Sequence, residues 1–594
     1  MSLDASVPSR TFQMETQTLQ VTGDNESEKP KSALNPSHAV DPLPLPSSSP
    51  SEGRPAADSP VATEPAPENT SKVKGIRLGL LLLSIYVSVF LINLDQLIVS
   101  TAIPQITDEF HSLQDIGWYG SAYLLTSCSF QLMFGKIYTF YSARVVYLIS
   151  ILFFEAGSAI CGASPTSAVF IAGRSIQGIG AAGIYSGSVV GIVNVVPLHR
   201  RPIYMGLFGA TSGVSSILGP LVGGAFTSNV TWRWCFYINL PFGGVALLSI
   251  ATLLKIPKPN TTLGWKSKLS QLDAWGTIFL IPGVVSFLLA LQWGGTVYAW
   301  NSGRIIALLT LGSVLLILFI VIQILMPTTA TVAPRIFKQR SIYSGFLAIF
   351  LIGAQFNVFL YFLPIWFQVI KGDSAVASGI HLLAFPLATI IATLIMGGAA
   401  TKLGYYTPFL LFSAVLLAIG AGLLTTLQVD TDTAKWIGYQ VLYGFGLGMG
   451  IQVPNIAAQT VLPPNDVATG VALMLFGLQL GGAIFISVGQ SVFTNELASH
   501  LSTLPGFDKS MIQNNGATVI SSSIPVELRQ RVLGAYNEAL RGGFRVGLII
   551  ASLTIIGAVG MEWRSVKSEK SDVGSGNDGD EGKLSKSDQD ELKE

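Results

Sequence analysis

Charge is the first thing this sequence lacks. Only 12% of its 594 residues are Asp, Glu, Lys or Arg, whereas 50% are hydrophobic. Soluble globular domains carry about 25% charged residues, so this chain has too few polar groups to cover a surface in water. Its net charge of +1 gives no field that would attract nucleic acid. The composition excludes an ordinary soluble domain and predicts an integral membrane protein.

Cysteine and histidine are scarce as well. The three cysteines, Cys128, Cys161 and Cys235, lie in or beside apolar runs, which excludes a disulfide framework and favours buried packing residues. The histidines show no metal-ligand spacing, and the chain has no Gly-x-x-x-x-Gly-Lys-Ser/Thr loop for ATP. We therefore expect no metal, no cofactor and no direct use of ATP. The sequence also has no nucleophile–base cluster, which argues against an enzyme.

Two polar tails flank an apolar central region. Residues 1–74 and 564–594 are rich in Ser, Pro, Gly and acidic residues, and we expect both tails to be disordered. Between them, apolar runs of about 20 residues predict about fourteen membrane-spanning helices, that is, an all-α polytopic membrane protein. The predicted spans are residues 77–100, 117–138, 145–163, 168–192, 203–227, 235–254, 274–293, 304–325, 342–367, 377–399, 406–427, 435–461, 467–493 and 544–563.

Lys and Arg are distributed unequally among the short loops. Up to the eleventh span, loops after even-numbered spans, counted with the adjoining span ends, hold twelve of these residues and those after odd-numbered spans hold four. The positive-inside rule therefore places the even-span loops and both tails in the cytoplasm. Residues 494–543 then become one long external loop.

Ionisable residues within the spans are candidates for proton coupling. A charge in the hydrocarbon costs at least about 2.5–3.5 kcal/mol, so it needs a functional or structural reason. Asp95, Glu155 and Arg174 lie in predicted spans 1, 3 and 4. Arg174 stays protonated, so it can tune a nearby carboxylate but cannot release a transported proton. The alternative for all three residues is a structural ion pair that fixes helix packing.

Uncharged polar residues recur at helical spacing on several spans. Such faces suit a cavity for a neutral or amphipathic substrate, and hydrogen bonding between helices is the alternative. The candidate cavity residues are Tyr119, Tyr123, Gln177, Asn357, Tyr361, Gln452, Asn455, Gln459 and Gln479.

Glycine-rich segments predict close helix contacts. Gly178, Gly180 and Gly183 spell a dinucleotide fingerprint, but no strand precedes them, so we expect helix packing instead. In span 5, glycines accompany a proline that removes a backbone hydrogen bond and bends the helix. The candidate conformational residues are Gly213, Gly219, Pro220, Gly223 and Gly224.

Five sequence motifs lie at residues 93–104, 174–183, 213–224, 232–241 and 273–276. Together they resemble the major facilitator superfamily, specifically its fourteen-spanner drug:proton antiporters and their fungal members. The resemblance implies two six-helix bundles, residues 75–254 and 331–563, with a cytoplasmic linker and two inserted helices at 255–330. It also implies alternating access and proton-driven export of small organic molecules such as toxins, secondary metabolites or drugs.

The loop after span 2 departs from the family pattern. Thr139 stands where the family has an acidic residue, and Phe140 and Ala143 stand where it has basic ones. Gly135, Lys136 and Arg144 remain as the candidate gating residues. The charge relay ascribed to that loop is therefore in doubt in this chain.

Two other functions remain open from the sequence: proton-coupled uptake, for example of ferric siderophores, and membrane sensing without transport. We expect a monomer whose partners are its substrate, protons and lipid. The plasma membrane is the expected location, with vacuolar or vesicle membranes as alternatives.

Overall fold

The computed structural model describes residues 75–112, 115–254, 271–295, 297–502 and 526–567, and every long element among them is a helix. An apolar chain in lipid has no water to satisfy its backbone, so the internally hydrogen-bonded helix is the stable form. The helices are α1 Ile76–Phe110, α2 Ile116–Phe140, α3 Ala143–Gly162, α4 Ser167–Val195, α5 Arg201–Asn229, α6 Trp234–Tyr237, α7 Asn239–Leu253, α8 Ala274–Trp293, α9 Gly303–Leu325, α10 Pro334–Phe337, α11 Arg340–Val369, α12 Ala375–His381, α13 Ala384–Leu403, α14 Thr407–Leu424, α15 Thr433–Gly450, α16 Val453–Val461, α17 Val467–Ser502 and α18 Val526–Gly560.

Thirteen segments of the described chain are long and apolar enough to cross a membrane. The long helix outside this set is α2, whose 25 residues include several polar ones. It packs against α4 and α17. This packing shields its polar residues from lipid. The predicted all-helical membrane fold with about fourteen spans is confirmed.

The helices pack as two groups. The first comprises α1 to α7 and the second α11 to α18, with α8 and α9 paired as a hairpin whose α8 contacts both α2 and α17. The two groups touch through α5 with α13 and through α2 with α17. We call α1 to α7 the first bundle and α11 to α18 the second bundle, and the expected domain boundaries stay a prediction.

The glycines of α4 allow neighbouring backbones to approach closely. A Cβ on Gly180 would lie 2.7 Å from the Ser150 carbonyl oxygen of α3, and one on Gly178 would collide with α2 at Tyr123 and Thr126. A side chain cannot be accommodated where the obstacle is backbone, so these positions fix the packing of α4 on both neighbours. The helix-packing interpretation of this segment is confirmed.

Part of the predicted external loop 494–543 is helical. In the structure α17 continues to Ser502 and α18 already begins at Val526, while residues 503–525 lie outside the described residues. The sequence prediction followed uninterrupted apolar runs, but these extensions are stabilised by isolated apolar side chains such as Leu501 and Tyr536, which are buried. Helices outside the membrane need only one apolar face.

The start of the predicted C-terminal tail, residues 564–567, lies within the described residues. Val566 is buried, and its N–H donates a 2.8 Å hydrogen bond to the carbonyl oxygen of Gly404. The chain up to residue 567 therefore packs against the turn between α13 and α14. Residues 1–74 and 568–594, which were predicted to be disordered, lie outside the described residues.

Candidate functional site

Asp95 of α1 and Arg174 of α4 form an ion pair inside the first bundle. Arg174 Nη1 lies 2.5 Å from Asp95 Oδ2, and the two side chains are 1% and 0% exposed. The guanidinium also donates through Nε to the Tyr119 carbonyl oxygen (2.9 Å) and lies over the ring of Tyr123. Carbonyl and aromatic contacts help to compensate the cost of removing this cation from water.

A set of polar side chains from α3, α4 and α7 completes the surroundings of Asp95. Gln177 Nε2 donates to Asp95 Oδ1 (2.9 Å), and Asn239 Nδ2 donates to the same oxygen (3.1 Å). Ser158 Oγ accepts from both amides, at 2.7 Å from Gln177 and 3.1 Å from Asn239. The Asp95 carboxylate is thus held by one charged and two neutral donors.

Glu155 of α3 lies near this network without joining it. Both of its carboxyl oxygens are buried and have no hydrogen-bond partner among the described residues. Its carboxyl group occupies the space beside Gly243 of α7, where any Cβ would collide with it. The structure therefore brings the three candidate coupling residues into one bundle, with Asp95 paired and Glu155 unpaired.

Tyr119, Tyr123 and Gln177 are buried within the first bundle and do not line an open space in this structure. The Tyr119 hydroxyl hydrogen-bonds with Ser112 and donates to Ser167. The Tyr123 hydroxyl donates to the carbonyl oxygen of Ile92 at 3.2 Å. Their surroundings are those of packed core residues, and contact with a substrate stays a prediction.

The amides of the second bundle lie near the first bundle. Gln479 Nε2 is 3.4 Å from Gln131 Oε1 of α2, and a Cβ on Gly209 of α5 would lie 3.4 Å from Gln452 Nε2. Three of the candidate cavity residues, Asn455, Gln459 and Gln479, carry buried amide atoms with no partner among the described residues. Buried amides need partners. The contact surface between the two bundles, called the seam, therefore has unused hydrogen-bonding capacity.

Asn357 and Tyr361 lie on α11 of the second bundle. Asn357 Nδ2 donates to the Gly353 carbonyl oxygen of its own helix at 2.8 Å. Tyr361 is 44% exposed, which makes it the most accessible of the candidate cavity residues. Their expected role as substrate contacts stays a prediction.

The glycine motif of α5 faces two different neighbours. Gly213 meets Ile390 of α13 across the seam between the bundles, whereas Gly219 and Gly223 meet α1 within the first bundle. Gly224 has open space around its Cα, and the helix remains continuous through Pro220. Only part of the motif therefore lies where the bundles would move against each other.

The candidate gating residues lie at the end of α2 and the start of α3. A Cβ on Gly135 would lie 3.2 Å from the Ala468 carbonyl oxygen of α17, so the two helices touch here. Lys136 Nζ donates to the Ala330 carbonyl oxygen at 2.6 Å. Arg144 donates to the Ala251 carbonyl oxygen at the end of α7, so it joins two helices of the first bundle.

A model of the Major Facilitator Superfamily matches residues 85–486 of the chain. The chain belongs to the major facilitator superfamily. Two similar proteins are named for export. One is the MFS-type efflux pump MFS1 of Arthroderma benhamiae, 50% identical over 85% of this chain and 94% of the relative. The other is the rubrofusarin-specific efflux pump aurT of Gibberella zeae, 47% identical over 84% of this chain and 91% of the relative.

A solved structure shows the same fold. The human organic anion transporter MFSD10 aligns with a TM-score of 0.52 over 80% of this chain and 100% of that chain, at 15% sequence identity. The family match and the thirteen apolar segments of the described chain show an integral membrane protein. The family indicates transport instead of enzymatic catalysis.

Sequence reasoning missed Ser158, Asn239 and Gln131 as site residues. Asn239 lies in the segment 232–241 that carried the family resemblance, which could have drawn attention to it. Gln131 is fully buried and donates to Ser186 Oγ at 2.6 Å. Serine and amide side chains recur throughout the spans, so residue type alone does not single them out.

Proposed function

We propose that this protein exports small organic molecules in exchange for protons, by alternating access of its two helix bundles. The observation that carries the proposal is the buried Asp95–Arg174 pair between α1 and α4. A titratable carboxylate paired with a permanent cation inside a membrane bundle can convert a proton movement into a packing change. The export names of the similar proteins support the outward direction.

Protonation of Asp95 would disturb the whole network. A neutral carboxyl group no longer attracts Arg174, which leaves an unpaired guanidinium in the core. Removing one partner of a buried pair costs about 3–5 kcal/mol. The bundle relieves that cost by rearranging until Arg174 meets water or the proton leaves. Inward proton movement supplies about 2.3 kcal/mol for each 100 mV of membrane potential, and this energy drives the cycle.

The contacts between the bundles support a state that is closed towards the cytoplasm. Gly135 touches α17 and Gly206 touches α13, and both lie near helix ends that the positive-inside pattern assigns to the cytoplasm. In this state, substrate would leave towards the external side. Its binding surface would include the amides along the seam, namely Gln452, Asn455, Gln459 and Gln479.

These amides support one class of substrate. Amides with unused hydrogen-bonding capacity and no formal charge suit a neutral or amphipathic organic molecule that carries hydroxyl or carbonyl groups. Export of such a compound across the plasma membrane would protect the cell from a toxin, a drug or its own secondary metabolite.

The test is retention of fluorescent dyes and toxins by yeast that lacks its own pumps and expresses this protein. We expect the protein to lower retention of at least one compound, and a proton uncoupler to abolish that effect. Increased retention would indicate uptake, and export that is insensitive to the uncoupler would contradict proton coupling. If retention is unchanged although the protein is verified at the cell surface, the export proposal fails.

A further inference from the structure

Asp273 is a buried carboxylate to which the proposed transport cycle assigns no role. It lies at the N-cap of α8, the first inserted helix, and is 3% exposed. Its backbone has a left-handed conformation with φ 47°, which is uncommon for a residue other than glycine. Burial of a carboxylate is costly unless it is hydrogen-bonded. The groups that bind Asp273 therefore indicate its structural role.

The partners of Asp273 come from three parts of the chain. Its Oδ1 accepts from the Gly276 N–H at 2.8 Å, which caps α8. Its Oδ2 accepts from Gln323 Nε2 of α9 (2.7 Å), and from both the N–H (2.9 Å) and the hydroxyl (2.8 Å) of Thr331. A helix cap needs only the first of these bonds. The others fix a segment far along the chain.

That segment, residues 330–332, is held on both sides of Thr331. Gln323 Oε1 accepts from the Val332 N–H at 2.9 Å, so the two inserted helices together bind two consecutive backbone amides. Ala330, the residue before Thr331, is 1% exposed. Its carbonyl oxygen is therefore presented from a fixed position.

The Ala330 carbonyl oxygen receives Lys136 of α2. The Lys136 Nζ–Ala330 O distance is 2.6 Å, and the lysine is 8% exposed. The carboxylates of Asp273 and Asp466 attract this ammonium group, and the guanidinium of Arg335 repels it. Arg335 in turn binds both oxygens of Asp466, at 2.5 and 2.9 Å.

We infer that Asp273 is a positioning residue of the cytoplasmic gate. It fixes residues 330–332 so that Ala330 can bind Lys136, and it supplies the negative charge that Thr139 cannot supply within the gating loop. The inserted helices thereby help to hold α2 of the first bundle against the start of the second. The inference rests on the proposed alternating-access cycle, in which this contact must open in each turnover.

The test measures opening of the gate without measuring transport. Thr469 of α17 is 5% exposed and faces Gly135 across the seam. A Thr469→Cys variant should therefore react slowly with a membrane-impermeant maleimide in inside-out vesicles. The three native cysteines are buried and give little background. Asp273→Asn is combined with this reporter, and Asp432→Asn serves as the control because Asp432 is an exposed N-cap residue without a side-chain cap.

We expect Asp273→Asn to raise the labelling rate at least fivefold and Asp432→Asn to leave it unchanged. Lys136→Gln should raise it similarly, and the double variant should label no faster than the faster single variant, because both act on one contact. If Asp273→Asn does not fold, Gln323→Leu replaces it, with the same expectation.

The inference would be overturned if Asp273→Asn labelled at the wild-type rate while Lys136→Gln labelled fast. Additive rates in the double variant would also overturn it, since they would show two independent effects. The labelling result does not depend on the retention assay. If labelling behaves as expected and no compound is exported, the proposed function fails while the gate contact stands.

Discussion

Arg174 Nη1 lies 2.5 Å from the carboxylate of Asp95, and neither side chain is more than 1% exposed. The pair connects α1, which contacts α5 and α7, with α4, which contacts α2 and α3. A change of charge at Asp95 therefore acts on two helices that between them touch the rest of the first bundle. This connection distinguishes the pair from an isolated surface salt bridge, which contributes little.

Glu155→Gln should preserve folding but reduce the number of protons exchanged per substrate. Glutamine has nearly the same size, and the Glu155 oxygens make no hydrogen bonds among the described residues that the change could remove. Proton and substrate fluxes in proteoliposomes measure the ratio, and thermal unfolding measures stability. An unchanged ratio would remove Glu155 from the coupling path.

Gly223→Ala should destabilise the protein by about 1–3 kcal/mol, as overpacking does. The new methyl group would lie 2.9 Å from the Ile98 carbonyl oxygen of α1. Gly224→Ala is the matched control, because nothing lies within 4 Å of a Cβ at that position. Thermal unfolding in detergent compares the two variants. Equal melting temperatures would show that the α1–α5 contact is looser than the structure indicates.

Gln459→Met should raise the KM for export several-fold without loss of stability. Neither polar atom of Gln459 has a partner among the described residues, so the apolar replacement removes a desolvation cost while it removes a substrate contact. Gln440→Met is the comparison, since Gln440 Nε2 donates to the His381 carbonyl oxygen and its loss should lower stability and leave KM unchanged. An unchanged KM in Gln459→Met would exclude Gln459 from the substrate surface.

Glu109→Gln should lower stability slightly at pH 7, by less than about 1 kcal/mol for this partly exposed group. Burial alone would raise the pKa of Glu109, but hydrogen bonds from Trp232 and Arg233 outweigh it and hold the pKa below its usual value. The carboxylate therefore stabilises the fold above its unfolded-state pKa, and this contribution disappears as the pH falls through the lowered value.

Melting temperatures of wild type and Glu109→Gln should accordingly converge as the pH is lowered from 7 towards 3. A difference that stays constant with pH would show that Glu109 acts through packing and not through its charge.

The sequence predicted the membrane fold because long apolar runs leave few alternatives in lipid. It also singled out Asp95 and Arg174, since charged residues are rare within spans, and the structure shows them in contact. It did not single out Asn239 or Ser158, because neutral polar residues are common in spans and only three-dimensional packing shows which of them meet. The role of Asp273 depends on its contacts with Gln323 and Thr331, which lie 50 and 58 positions further along the chain. The sequence alone does not show that these residues meet.

The measurement that tests the central claim most directly is uphill transport by purified protein in proteoliposomes with an imposed proton gradient. The probe is a fluorescent dye that the wild type exports from yeast. Asp95→Asn is compared with Asp108→Asn, which changes an exposed carboxylate on the same helix. We predict that wild type and Asp108→Asn accumulate the dye against its gradient, and that Asp95→Asn loses this uphill transport by about 100-fold or more while remaining folded. Uphill transport by Asp95→Asn at the wild-type rate would contradict the account.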